Sequence, residues 1–134
     1  MKKVEHIGIA VKDLASTNDL FARLFNQPHY KQEELVSEGV STSFFKVGET
    51  KIELLEATNE NSAIAKFIEK RGEGIHHIAF EVEDIDSEIQ RLKAEGFQLI
   101  SSEPKEGLDN KKICFLHPKS TSGVLIELCQ EKAK

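Results

Sequence analysis

Four residues have the side chains and the spacing to hold a divalent ion: His6, Glu53, His77 and Glu127. Each histidine is followed two positions on by a residue with little or no side chain, Gly8 and Ala79. Each glutamate stands inside an aliphatic run, Lys51-Ile52-Glu53-Leu54-Leu55 and Leu125-Ile126-Glu127-Leu128-Cys129. Imidazole and carboxylate together suit first-row divalent metals, and four such ligands leave two octahedral positions for water or for a substrate binding through two oxygens. Taken singly, a strand histidine is more often structural and a glutamate among aliphatics more often a solvated edge residue. Recurrence is what favours a shared site.

That recurrence is an internal repeat. When Val4-Glu5-His6-Ile7-Gly8-Ile9-Ala10-Val11-Lys12-Asp13-Leu14 is set above Ile75-His76-His77-Ile78-Ala79-Phe80-Glu81-Val82-Glu83-Asp84-Ile85, histidine, isoleucine, valine, aspartate and an aliphatic residue fall in register. A stretch with helical spacing follows each segment, carrying Leu20, Phe21, Leu24 and Phe25 in the first copy and Ile85, Ile89 and Leu92 in the second, where Gly96 supplies a C-cap. Further β-like runs come next, Val40 to Val47 in one copy, Gln98 to Ser101 and Ile113 to Leu116 in the other, and each copy closes on its glutamate strand. The pattern predicts an α+β fold of two tandem βαβββ modules, about 1–58 and 74–134, within one domain. A short helix over 61–70 joins them, and Arg71-Gly72-Glu73-Gly74 marks the boundary.

Alternate strand residues point to opposite faces. Ile7, Ile9 and Val11, like Ile78, Phe80 and Val82, therefore form faces for helices to cover, and Ile52, Leu54, Ile126 and Leu128 share that packed parity. The opposite parity holds His6, Gly8 and Ala10, and His77, Ala79 and Glu81, with Glu53 and Glu127 on the matching side of the closing strands. Two modules packed about a pseudo-two-fold would bring these open faces into one metal cleft. His76 has the wrong parity and its repeat partner is Glu5, so it reads as structural; His29 has no repeat support, and His117 before Pro118 reads as a turn residue.

The chain has 134 residues, the length of one domain with no room for a separate cofactor domain. Hydrophobic residues at 39% and charged ones at 31% describe a folding chain rather than a disordered one. Eighteen basic against 23 acidic residues give a net charge of −5, which argues against nucleic-acid partners. No apolar run is long enough to span a bilayer, and Met1-Lys2-Lys3 leads straight into a strand pattern without the apolar core of a signal peptide. No membrane partner and a cytoplasmic location are expected. Cys114 and Cys129, each in an apolar run, read as reduced core thiols.

With these residues in hand, the chain resembles the vicinal oxygen chelate superfamily, the glyoxalase and bleomycin-resistance group. Within it the chain is similar over nearly its whole length to the methylmalonyl-CoA epimerase family. The resemblance rests on His6-Ile7-Gly8-Ile9-Ala10-Val11, Gly48-Glu49-Thr50-Lys51-Ile52-Glu53-Leu54-Leu55, Gly74-Ile75-His76-His77-Ile78-Ala79, and Phe115-Leu116-His117-Pro118-Lys119 leading into Gly123-Val124-Leu125-Ile126-Glu127-Leu128, the last being the most discriminating.

The resemblance implies a curved sheet around a metal cleft, with His6, Glu53, His77 and Glu127 as ligands. The implied cofactor is a divalent ion, Co²⁺ first, with Mn²⁺, Ni²⁺, Zn²⁺ or Mg²⁺ as alternatives. The family's second ligand is sometimes glutamine, so Glu53 makes this site one charge more negative. The implied enzyme is an isomerase interconverting the 2R and 2S forms of methylmalonyl-CoA through a metal-stabilised enolate, acting as a homodimer on an acyl-CoA substrate. The family's general base lies just before a Gly-Val pair, which places it at Glu38 in Ser37-Glu38-Gly39-Val40. Here Glu38 abuts the glycine, where one residue commonly intervenes. Glu127 or a bound water would be the second proton carrier. Lys105, Lys111, Lys112 and Lys119 lie near the Glu127 strand and could meet CoA phosphates as point charges. Asn110, where relatives often carry glycine, tolerates the left-handed conformation a turn there needs. A glyoxalase I-like lactoylglutathione lyase, with nearly the same ligand set, is the alternative; a dioxygenase with two histidines and one carboxylate would not need Glu53.

Overall fold

The computed structural model describes residues 1–132. The chain divides into two compact units, one of residues 6–76, the other of residues 1–5 together with residue 77 onward. Both boundaries fall inside strands, immediately before His6 and immediately before His77.

The first unit contains most of β1 (Lys3–Ala10), then α1 (Leu14–Phe25), β2 (Lys31–Leu35), β3 (Val40–Val47), β4 (Thr50–Ala57) and α2 (Ala63–Arg71). Its strands run in the order β2-β3-β4-β1, with β1 and β4 parallel and the other neighbours antiparallel. α1 covers one face: Leu14, Phe21, Ala22 and Phe25 pack on Ile9, Phe45, Ile52 and Leu54 with Val11. Each such aliphatic or aromatic side chain, once buried, contributes about 1.5–3 kcal/mol. Leu20 and Leu24, expected on the packed stripe, are instead 52% and 68% exposed, because the inward stripe runs through Leu14, Thr17 and Phe21, at spacings of three and four.

α2 is the helix expected to join the copies, and its Ser62 hydroxyl accepts the Ala65 N–H as an N-cap. It belongs to the first unit and does more than connect. Ile64, Phe67 and Ile68 pack on Ala10, Leu35, Val40, Leu55 and Ala57, all on the sheet face shared by His6 and Glu53. The face expected to be open is therefore roofed at its Ala10 end.

In the second unit, β5 (Gly74–Glu81) leads into α3 (Ile85–Ala94), β6 (Lys105–Glu106), β7 (Lys111–Leu116) and β8 (Ile126–Glu131). The strand order is β5-β8-β7-β6, with β5 and β8 parallel. Ile85, Ile89 and Leu92 pack on Cys114, Leu116, Ile126 and Leu128, as their periodicity predicts. Gly96 lies one residue beyond the cap with φ 93°, and the Phe97 N–H closes on the Leu92 carbonyl. The strand expected over Gln98 to Ser101 is reduced to a single Leu99–Leu116 bridge, and the edge strand is Lys105–Glu106, too short and too charged to show a periodicity. Asn110 adopts φ 57°, as its turn requires, with Asp109 at 60° beside it.

Residues 1–5 group with this second unit. The Lys2 N–H donates to the Glu81 carbonyl, the Lys2 ammonium stands 3.7 Å from Glu81 Oε2, and Lys111 Nζ lies 3.9 Å from Glu5 Oε2.

Candidate metal centre

In the first unit, β1 and β4 pair with Gly8 opposite Glu53 and His6 opposite Lys51, so His6 and Glu53 share one sheet face. Their side chains meet: His6 Nδ1 is 3.2 Å from Glu53 Oε2, and both residues are about 95% buried. Gly8, without a side chain, leaves the space between them.

The second unit repeats the arrangement. β5 and β8 pair with Ala79 opposite Glu127, and His77 Nε2 is 3.2 Å from Glu127 Oε1, again with both residues buried. Phe115, opposite Glu127 on β7, meets the His77 ring edge-on at 5.8 Å between centroids and 82°. It fixes the plane of the imidazole.

The geometry of each pair can be tested against a metal. Two donors about 2.1 Å from one ion and at right angles stand about 3.0 Å apart. The observed 3.2 Å separations fit that edge, and a buried carboxylate against an imidazole is a donor set divalent ions accept. A divalent ion held there would supply Lewis-acid stabilisation of negative charge on a substrate oxygen.

A second feature recurs in both units. Three residues beyond Glu53 and Glu127, on the opposite face, a side-chain oxygen accepts the first N–H of the preceding helix. Glu56 Oε2 accepts from Leu14 at 3.4 Å and Gln130 Oε1 from Ile85 at 2.8 Å. These latches tie each closing strand to the helix after its histidine strand. Glu56 and Gln130 are 74 positions apart, the offset of Glu53 and Glu127, and that shared offset could have revealed them.

His76 points away from this chemistry. Its ring sits edge-on to Phe67 of α2 at 5.0 Å, and burial pushes its pKa down to about 4, so it is neutral near pH 7. His117 ends a strand and its Nδ1 accepts the Lys119 N–H at 3.1 Å, a turn role as expected. His29 stacks edge-on to Phe45. Both cysteines are free and buried; burial raises both thiol pKa values, and at Cys129 the charge of Glu127 adds to it.

Glu38 lies in a one-turn 3₁₀ helix, Val36–Glu38, with its side chain exposed. Its backbone is anchored: Gly39 takes φ 63°, its N–H bonds to the Val36 carbonyl, and its carbonyl accepts the Thr58 N–H. A Cβ at Gly39, where φ is 63°, would stand 2.6 Å from Asn59 Nδ2 and 3.0 Å from Ser62 Cβ, which favours glycine beside Glu38.

Two of the four lysines nominated for phosphates are placed otherwise. Lys111 is buried, 6% exposed, against Glu5, and Lys112 shares the helix-covered face of Cys114 and Leu116, opposite Glu127. Sequence alone places both in a loop, as lysines usually are, whereas β7 begins at Lys111. Lys105, paired with Ile113, stays on the Glu127 side, and Lys119 is exposed in the Pro118–Ser120 turn.

A family model described as the Glyoxalase/Bleomycin resistance protein/Dioxygenase superfamily matches residues 5–115. An ethylmalonyl-CoA/methylmalonyl-CoA epimerase of Cereibacter sphaeroides is 40% identical over 96% of this chain and 97% of its own. A mitochondrial methylmalonyl-CoA epimerase of Dictyostelium discoideum is 40% identical over 94% and 76%. Among solved structures, a Streptomyces coelicolor methylmalonyl-CoA epimerase variant in complex with 2-nitronate-propionyl-CoA superposes with a TM-score of 0.94 at 34% identity, covering 99% of this chain and 96% of that one. Among the described residues no helix is long and apolar enough to cross a membrane.

Proposed function

The chain belongs to the Glyoxalase/Bleomycin resistance protein/Dioxygenase superfamily and, within it, to the methylmalonyl-CoA epimerases, isomerases by class; from that membership we propose that it interconverts the 2R and 2S forms of methylmalonyl-CoA with a divalent ion. The observation that carries this reading is the repeated histidine–glutamate pair, buried and spaced at 3.2 Å in each unit. In this reading His6, Glu53, His77 and Glu127 together hold one ion, Co²⁺ first and Mn²⁺, Ni²⁺, Zn²⁺ or Mg²⁺ after it. The ion's positive charge would lower the cost of forming an enolate, and each pK unit removed from the carbon acid is worth about 1.4 kcal/mol.

The protein's own residues then move the proton. Glu38 takes it from C2 of the substrate, its backbone fixed by the tight packing at Gly39. Glu127 serves the opposite face. No oxidant or organic cofactor enters the balance, because one proton leaves C2 to one carboxylate and another is delivered to C2 on the opposite face. A homodimer in the cytoplasm completes the proposal, to be checked by light scattering and by cell fractionation.

The experiment is isotopic. Methylmalonyl-CoA incubated with the metal-loaded protein in D₂O gains deuterium at C2 as its stereochemistry scrambles, and EDTA abolishes both changes. Glu38→Gln slows exchange by about 10²–10⁴-fold while metal binding survives. Absence of exchange in a folded, metal-loaded sample overturns the epimerase reading, and turnover of the methylglyoxal–glutathione adduct instead would assign a lyase.

A further inference from the structure

We propose that Asn59, packed against the glycine that follows Glu38, is a positioning residue for the proton transfer, holding the loop that aims the Glu38 carboxylate. This rests on the reading of Glu38 as the base, and it names the side chain through which the body of the first unit sets that base's place.

The Val36–Glu38 turn contains no anchor of its own. None of its three residues is buried, and Val36, whose aliphatic side chain could have pinned it, is 77% exposed. Burial begins at Gly39. The loop leaves β2 at Leu35 and enters β3 at Val40, and these two residues are paired. A hairpin loop of exposed residues can swing about such a base unless a contact from outside the two strands stops it.

Gly39 is where that contact is made. A Cβ there would stand 2.6 Å from Asn59 Nδ2 and 3.3 Å from Asn59 Cγ, so the carboxamide of Asn59 lies against the bare Cα. The Gly39 carbonyl accepts the Thr58 N–H at 2.8 Å, which ties the loop to the residue before Asn59. Asn59 is itself held, because its Oδ1 accepts the Asn61 N–H at 2.9 Å and its carbonyl accepts the Ser62 N–H at 3.4 Å. Ser62 caps α2, whose Ile64, Phe67 and Ile68 pack on Leu35 and Val40, the two residues that flank the loop. Loop, Asn59, α2 and strand ends thus brace one another. Asn59 is exposed and lies outside every strand, so its side chain can be changed without disturbing the His6–Glu53 pair.

The test follows deuterium exchange at C2 of methylmalonyl-CoA, on the full-length Co²⁺-loaded protein, in a double-variant cycle. Asn59→Ala is expected to lower kcat at least about tenfold with KM within about twofold, since a displacement of about 1 Å can cost about a hundredfold. In a Glu38→Gln background the same substitution should change the rate by less than about twofold, because the group that Asn59 positions is absent. Co²⁺ affinity, read by calorimetry, should stay that of the unaltered protein. The Thr58 amide hydrogen should exchange with solvent faster in Asn59→Ala, as its bond to Gly39 opens more often. Far-ultraviolet circular dichroism confirms that each variant is folded. Should Asn59→Ala not fold, Asn59→Ser takes its place, keeping an acceptor for the Asn61 N–H but not the amide against Gly39. Unchanged kcat in Asn59→Ala beside a slow Glu38→Gln, an equal loss in both backgrounds, or a parallel loss of Co²⁺ affinity overturns the positioning role and leaves the base reading standing. Undiminished exchange in Glu38→Gln removes the base reading, and the positioning role with it.

Discussion

The two histidines that sit side by side in β5 show how much a single residue's parity decides. His77 faces Glu127 at 3.2 Å, whereas His76 faces Phe67 and is kept neutral by burial. His77→Ala is therefore expected to weaken Co²⁺ binding by more than about a hundredfold, and His76→Ala to change it little, as calorimetric titration will show. If His76 proves the essential one, the parity argument fails. This contrast was legible in the sequence, because strand alternation and the repeat require only residue order. What was not legible is a residue whose environment is set by distant strands. The Thr42 hydroxyl is fully buried with no hydrogen-bond partner among the described residues. Thr42→Val keeps the shape and removes the unpaired hydroxyl, so it should raise unfolding free energy by about 1 kcal/mol in urea titrations. A loss of stability would mean that the hydroxyl is paired in solution.

The closing strands are locked to the helices by side chains that no local pattern announces. Gln130 accepts the Ile85 N–H at 2.8 Å, while its counterpart Glu56 reaches Leu14 only at 3.4 Å. Gln130→Leu is expected to cost about 1 kcal/mol of stability and Glu56→Leu less, both measured by denaturant unfolding. Equal costs would show that the two latches are equivalent despite their lengths. Helices with a strong apolar stripe were readable: Ile85, Ile89 and Leu92 all lie in the core. β2, Lys31-Gln32-Glu33-Glu34-Leu35, was not, since an edge strand in which four of five residues are polar carries almost no hydrophobic signal. The roof that α2 lays over Ala10 and Leu55 was missed for a different reason. A linker helix shows its apolar residues in sequence but not the surface they will cover.

For the molecule as a whole, a ligand that binds the folded state alone raises stability by mass action, by about 2.7 kcal/mol at a hundred times Kd. Thermal unfolding of the metal-free protein should therefore shift upward on adding Co²⁺ and return with EDTA, and His77→Ala should abolish the shift. An equal shift in that variant would place the ion elsewhere. The repeat made the βαβββ order visible, but not that residues 1–5 group with the half of the chain that begins at His77. This has a consequence for biogenesis. Residues 1–5 find their partners, the Glu81 carbonyl and the Lys111 ammonium, only after the whole of the other unit has been synthesised. The unit of residues 6–76 can collapse as it emerges, whereas its companion must wait for a long loop to close, and such non-local closure slows folding. The two copies of the repeat are thus unequal in time, the later one depending on a strand end made before the whole of the earlier one.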